Sequence, residues 1–156
     1  MSNSKFWTIK NSVNENGQSQ SELILYGEIS KTSWLGDEIT PREFASDLAS
    51  CQGDLSLRIN SGGGDVFAAQ AIHNMIKAYT GKVTAYIDGI CASAATVIAC
   101  AADTVVMPSN ALYMIHNPSV SLIDNYDASD LTKLVDYLAS VKQTIANLYL
   151  ARSESL

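Results

Sequence analysis

The chain has 156 residues, 47% of them hydrophobic and 17% charged, with a formal net charge of −6. That length sets a single domain as the expectation, with apolar content enough for a core, and the acidic balance argues against general nucleic-acid binding. No apolar run is long enough to span a bilayer, and Met1-Ser2-Asn3-Ser4-Lys5 lacks the basic-then-apolar layout of a signal peptide, so a cytoplasmic location without membrane attachment is expected.

Lys5 to Lys10 alternates apolar and polar residues, as an edge strand does. Asn14-Glu15-Asn16-Gly17 supplies turn chemistry, and Ser21 to Gly27 is the next strand, giving a hairpin with a longish polar loop. Ile29 to Asp37 shows no clear period. Thr40-Pro41-Arg42-Glu43 reads as a helix start with a capping box, followed by Phe44, Leu48 and Cys51 at helical spacing. Leu55 to Asn60 alternates as a strand, which Ser61-Gly62-Gly63-Gly64 is expected to end. A helix follows over 65–79, with Ala68, Ala71, Ile72, Met75, Ile76 and Tyr79 on its apolar face and His73 on the solvated side.

Val83 to Asp88 is a strand, and Gly89-Ile90-Cys91-Ala92-Ser93-Ala94-Ala95-Thr96 leads into a charge-free helical stretch ending near Ala102. Thr104 to Met107 and Leu112 to His116 are short strands. Asn117-Pro118 breaks the pattern, and a long helix covers about Ala128 to Ala151. After the hairpin, strands alternate with helices, which is an α/β layout with mainly parallel strands.

Ser93 falls where a strand turns into a helix. There its hydroxyl either caps the helix or faces a developing negative charge near the positive end of the helix dipole. The three-glycine turn lets backbone N–H groups approach a ligand closely. It lacks the Gly-Lys-Ser/Thr of a Walker loop and does not match GxGxxG. His116, at a strand end beside a turn, is where a general base is presented. A serine, a histidine and free amides together suggest acyl transfer. The G-x-S-x-G elbow is absent, which disfavours the α/β-hydrolase fold. Cys51, Cys91 and Cys100 are odd in number and lack CxxC, so neither a disulfide framework nor structural zinc is expected. Cys91 reads as a packing residue, and no cofactor or metal is called for.

Three blocks carry a family resemblance: Arg58-Ile59-Asn60-Ser61-Gly62-Gly63-Gly64-Asp65-Val66-Phe67, Asp88-Gly89-Ile90-Cys91-Ala92-Ser93-Ala94-Ala95 and Met114-Ile115-His116-Asn117-Pro118. In this order and separation, the chain resembles the Clp protease proteolytic subunit from about Leu23 to Ala151, especially the ClpP-like proteases of phages and prophages. The resemblance implies the ClpP/crotonase fold and a serine endopeptidase acting on polypeptides. Ser93 matches the nucleophile, His116 the general base, and Gly64 and Ala94 the backbone donors of the oxyanion hole. It further implies homo-oligomeric rings (heptamers, stacked as tetradecamers), an AAA+ unfoldase partner, and phage capsid or scaffold maturation as the setting.

On this reading residues 1–156 form one protease domain: an N-terminal hairpin (1–27), a catalytic body (28–118) and a handle helix (128–151). Gly62 stands where the family usually has proline. The family's third catalytic residue, an aspartate beyond the handle, has no match among Asp124, Asp127, Asp130 and Asp136, and is expected outside 1–156. The handle is expected to be a subunit interface, because Leu131, Leu134, Leu138, Val141, Ile145 and Leu148 form a narrow apolar seam. Two other functions compete with the peptidase. One is a crotonase-type acyl-CoA enzyme that holds a thioester enolate on two amides. The other is an assembly module with a dead site.

Overall fold

A computed structural model describes residues 5–30 and 41–154; the Thr40 capping-box expectation and most of the 29–37 connection lie outside these residues. The chain divides into two compact units, one ending at Ile115 and the other starting at His116.

In the first unit, β1 (Trp7–Val13) and β2 (Ser19–Ile29) form the expected antiparallel hairpin. Its strands run further into polar sequence than alternation suggested, leaving a tight turn. Asn14 closes that turn by accepting the N–H groups of Asn16 and Gln18 on its side-chain oxygen, both at 2.9 Å, while Gly17 takes φ 75°. Next come α1 (Pro41–Leu48), β3 (Asp54–Gly64), α2 (Val66–Lys77), β4 (Val83–Ala92), α3 (Ala94–Ala99), β5 (Thr104–Val106) and β6 (Leu112–Met114). The sheet order is β1-β2-β3-β4-β5, and β6 also pairs with β4, beyond the end of β5. Every pairing after the hairpin is parallel. The α/β layout read from the alternation of strands and helices is therefore the observed one.

One sheet face is apolar and buried: Leu23 and Leu25 on β2, Leu55, Leu57 and Ile59 on β3, Val83, Ala85 and Ile87 on β4. The period-two pattern of each strand puts these side chains on the same side. Ala69, Ile72 and Ile76 of α2 and every residue of α3 are also buried. Asp65 caps α2 by accepting the Ala68 N–H at 2.7 Å. Helix α1 stops at Leu48, so Cys51 lies past its end although it continues the apolar spacing.

Two strands run past the glycines expected to stop them. β3 continues to Gly64 because the end of β2 pairs with it, Glu28 with Gly63 and Ile29 with Gly64. β4 continues through Gly89 because β6 pairs with Ile90, Cys91 and Ala92. Conversely β6 ends at Met114, so His116 lies two residues beyond the strand rather than at its end. His73 is another correction. It is half-buried, and its Nδ1 bonds the Val97 carbonyl of α3 at 2.8 Å.

The second unit contains α4 (Ala128–Glu154), three residues longer than expected at its C-terminus. Asp127 starts it, accepting the Asp130 N–H on its carboxylate at 2.9 Å. Along the expected seam Val141 is buried, Leu134, Leu138, Ile145 and Leu148 are half-buried, and Leu131 is exposed. Among the described residues no helix is long and apolar enough to cross a membrane.

Candidate active site

Ser93 is the single residue between β4 and α3. It adopts φ 55°, ψ −128°, and is the one non-glycine with positive φ among the described residues. Such a conformation costs about 1–3 kcal/mol and persists only where the surroundings enforce it. Here the enforcement is visible. The Ser93 N–H donates to the Met114 carbonyl of β6 at 2.9 Å, and its carbonyl accepts the Thr96 N–H at 3.0 Å and the Thr96 hydroxyl at 2.5 Å. The side chain makes no capping bond, so the reading of Ser93 as an ordinary helix cap fails. A half-buried hydroxyl is left at a strained strand-to-helix turn, the way a nucleophilic serine is presented elsewhere.

The glycine turn packs against that serine. Gly63 has φ 100°, and a Cβ there would lie 2.6 Å from the Ser93 Cβ and 2.9 Å from the Ala94 nitrogen. Gly64 has φ 143°, and its missing Cβ points at β2, 2.0 Å from the Ile29 carbonyl oxygen. It is the Asp65 N–H that donates to that carbonyl, at 2.7 Å, which leaves the Gly64 N–H out of that bond. At Gly62 a Cβ would meet nothing within 4 Å, so this position has room for a side chain such as the proline the resemblance leads one to expect. Ser61, 2% exposed, braces the turn from below: its hydroxyl donates to the Gly27 carbonyl at 2.6 Å and accepts the Gly63 N–H at 3.1 Å.

Ser93, Ala94 and the glycine turn are thus brought together within the first unit. His116 is exposed and opens the second unit, two residues after Met114. Cys91 is fully buried, and burial, with Cys100 nearby, pushes its thiol up to about 12, which leaves it protonated and inert at neutral pH.

A family model described as Clp protease matches residues 12–155. The chain belongs to the Clp protease family. Its fold matches a solved structure of a ClpP1 mutant from Listeria monocytogenes, with TM-score 0.63 and 25% identity over 84% of this chain and 71% of that one. No curated protein matches. Family and fold together support a Clp-type peptidase; members of the family form oligomeric rings and their substrates are polypeptides.

Sequence reasoning missed three features around Ser93 and the glycine turn. Gly63 touches the serine directly, Ser61 supports the turn, and Asp88 joins three strands. The Asp88 carboxylate accepts from the Arg58 guanidinium of β3 and from the Tyr26 hydroxyl of β2 (2.8 Å). That hydrogen bond to Asp88 is the main reason the Tyr26 hydroxyl is held above its usual pKa. The sequence signal for this cluster was a single charge of opposite sign on each of two neighbouring strands, Arg58 and Asp88, at positions alternating with the buried apolar ones.

Proposed function

We propose that this chain is a serine endopeptidase that cleaves polypeptides with Ser93 as nucleophile and His116 as general base. The observation carrying the reading is the backbone of Ser93: strained, held on both sides by hydrogen bonds, with an uncapped hydroxyl beside a glycine turn. A merely structural serine gives no reason to maintain such strain.

In the proposed reaction His116 removes the hydroxyl proton as the Ser93 oxygen bonds to the scissile carbonyl carbon. The carbonyl oxygen becomes an oxyanion and takes hydrogen bonds from the Gly64 and Ala94 amides. Collapse breaks the C–N bond, and His116 returns the proton to the leaving amine. Water then hydrolyses the acyl-enzyme with His116 again as base. A homo-oligomeric ring, an AAA+ unfoldase partner, a cytoplasmic location and a phage maturation role are proposed on family likeness alone.

A fluorophosphonate probe tests the reading. The intact protein should be phosphonylated at Ser93, and Ser93→Ala should lose both labelling and peptide hydrolysis while keeping its circular dichroism. Peptide hydrolysis by Ser93→Ala near the parent rate would overturn it. Thioester turnover without labelling would favour the acyl-CoA alternative.

A further inference from the structure

The pairing of β3 with β4 changes register just before the site. Leu55 to Ile59 pair with Val83 to Ile87 one for one, but the next pair is Ser61 with Cys91. One residue of β3, Asn60, therefore stands opposite three of β4: Asp88, Gly89 and Ile90. Had the first register continued, Gly63 would face Cys91. The bulge instead advances β4 by two residues, which brings Ser93 to Gly63 and keeps side chains on their original faces.

A bulge of this kind leaves backbone groups without ladder partners, and they must be satisfied some other way. Here the Asn60 side chain does it, its Oδ1 accepting the Ile90 N–H at 3.1 Å. The same oxygen lies against Gly89, where a Cβ would sit 2.9 Å from it, so the carboxamide fills the space inside the bulge. On the other flank Asp88, the first bulged residue, is tied to Arg58 and Tyr26.

We infer that Asn60 is a positioning residue for the nucleophile: its carboxamide locks the β4 bulge in the register that sets Ser93 against the glycine turn. The inference rests on the serine-peptidase reading and adds a residue that touches neither substrate nor the reacting atoms. Misplacing a reacting group by about 1 Å costs on the order of 100-fold in rate. Losing the Asn60 acceptor should therefore slow acylation much more than it unfolds the protein.

The test compares Asn60→Leu, which keeps the shape and loses the acceptor, with Asn60→Asp, which keeps an acceptor oxygen. Leu55→Val, at the opposite end of β3, serves as a destabilised control. Fluorophosphonate labelling of Ser93 is measured per folded molecule, along with Tm and hydrogen exchange of the Ile90 amide. The expected result is labelling at least about tenfold slower in Asn60→Leu, with faster Ile90 exchange. Asn60→Asp should recover most of both, and Leu55→Val should lower Tm while labelling at the parent rate. Parent-like labelling of Asn60→Leu, or equal slowing by Leu55→Val, would overturn the inference while leaving the peptidase reading in place. Failure of the unsubstituted protein to label would overturn the peptidase reading and this inference with it.

Discussion

Gly63→Ala separates a glycine that merely turns the chain from one that fits against a nucleophile. The added Cβ would meet the Ser93 Cβ at 2.6 Å, where ordinary contact starts at 3.4 Å, a shortfall of about 0.8 Å. The Ala94 nitrogen, at 2.9 Å, and the Ala92 carbonyl oxygen, at 2.8 Å, block retreat in other directions. Ser93 or the turn must therefore move by most of an ångström. Overpacking of this kind costs about 1–3 kcal/mol, and an alanine at φ 100° adds about 1–3 kcal/mol of backbone strain. A domain with the usual 5–15 kcal/mol of stability stays mostly folded at low temperature under that load. If Ser93 is the nucleophile proposed above, its displacement should nonetheless cost on the order of 100-fold in acylation rate. The assay is the fluorophosphonate labelling rate per folded molecule, with Tm from thermal unfolding. Gly62→Ala is the matched control, since its Cβ enters open space, and should change neither quantity. Gly64→Ala drives a Cβ to 2.0 Å from the Ile29 carbonyl oxygen, so it should act mainly by breaking the β2–β3 pairing. A Gly63→Ala protein that labels within about twofold of the parent would refute the reasoning that Gly63 seats the serine.

Ser93→Gly and Ser93→Ala both remove the hydroxyl, but only glycine adopts φ 55° without penalty. Ser93→Gly should be the more stable of the two by about 1 kcal/mol in denaturant unfolding, and equal stabilities would mean the turn is not strained. Burial holds the His73 pKa below its ordinary value, outweighing the bond to the Val97 carbonyl, which raises it. Below the unfolded pKa of about 6.5 the unfolded chain takes up a proton that the folded chain refuses, so stability falls as pH drops from there to the depressed folded value. A carbon-detected titration of His73 should show a midpoint below 6.5, and His73→Gln should flatten that part of the stability profile. In α4, Leu138→Asp combined with Ile145→Asp should lower the assembly state in sedimentation with far-UV circular dichroism largely kept. An unchanged sedimentation coefficient would remove the seam as the subunit contact.

Local chemistry made much of this protein legible in one dimension. The alternation of Leu55 to Ile59 and of Val83 to Ile87 marked two central strands, because one face of each is buried and period two follows from the pleat. Helical spacing and Gly81 bounded α2, and the run of leucines marked α4. Ser93 stood out because its neighbours change from a strand pattern to small helical residues. Each of these signals depends on residues close together in the chain.

What required tertiary structure depends on partners far away in sequence. Glycine runs read as strand ends, yet Gly63 and Gly64 stay in the sheet because Glu28 and Ile29 pair with them. His73 read as solvated, yet the Val97 carbonyl of α3 lies above it. Capping and catalytic roles for Ser93 predict the same residue type at the same place. The uncapped, strained geometry that tells against the cap comes from Met114 and Thr96 acting on its backbone. The sequence alone determined which strand and which serine to look at. The bulge opposite Asn60, a matter of register between strands, decided that Ser93 and not Cys91 faces the glycine turn, because register is set by cross-strand pairing that no single strand encodes.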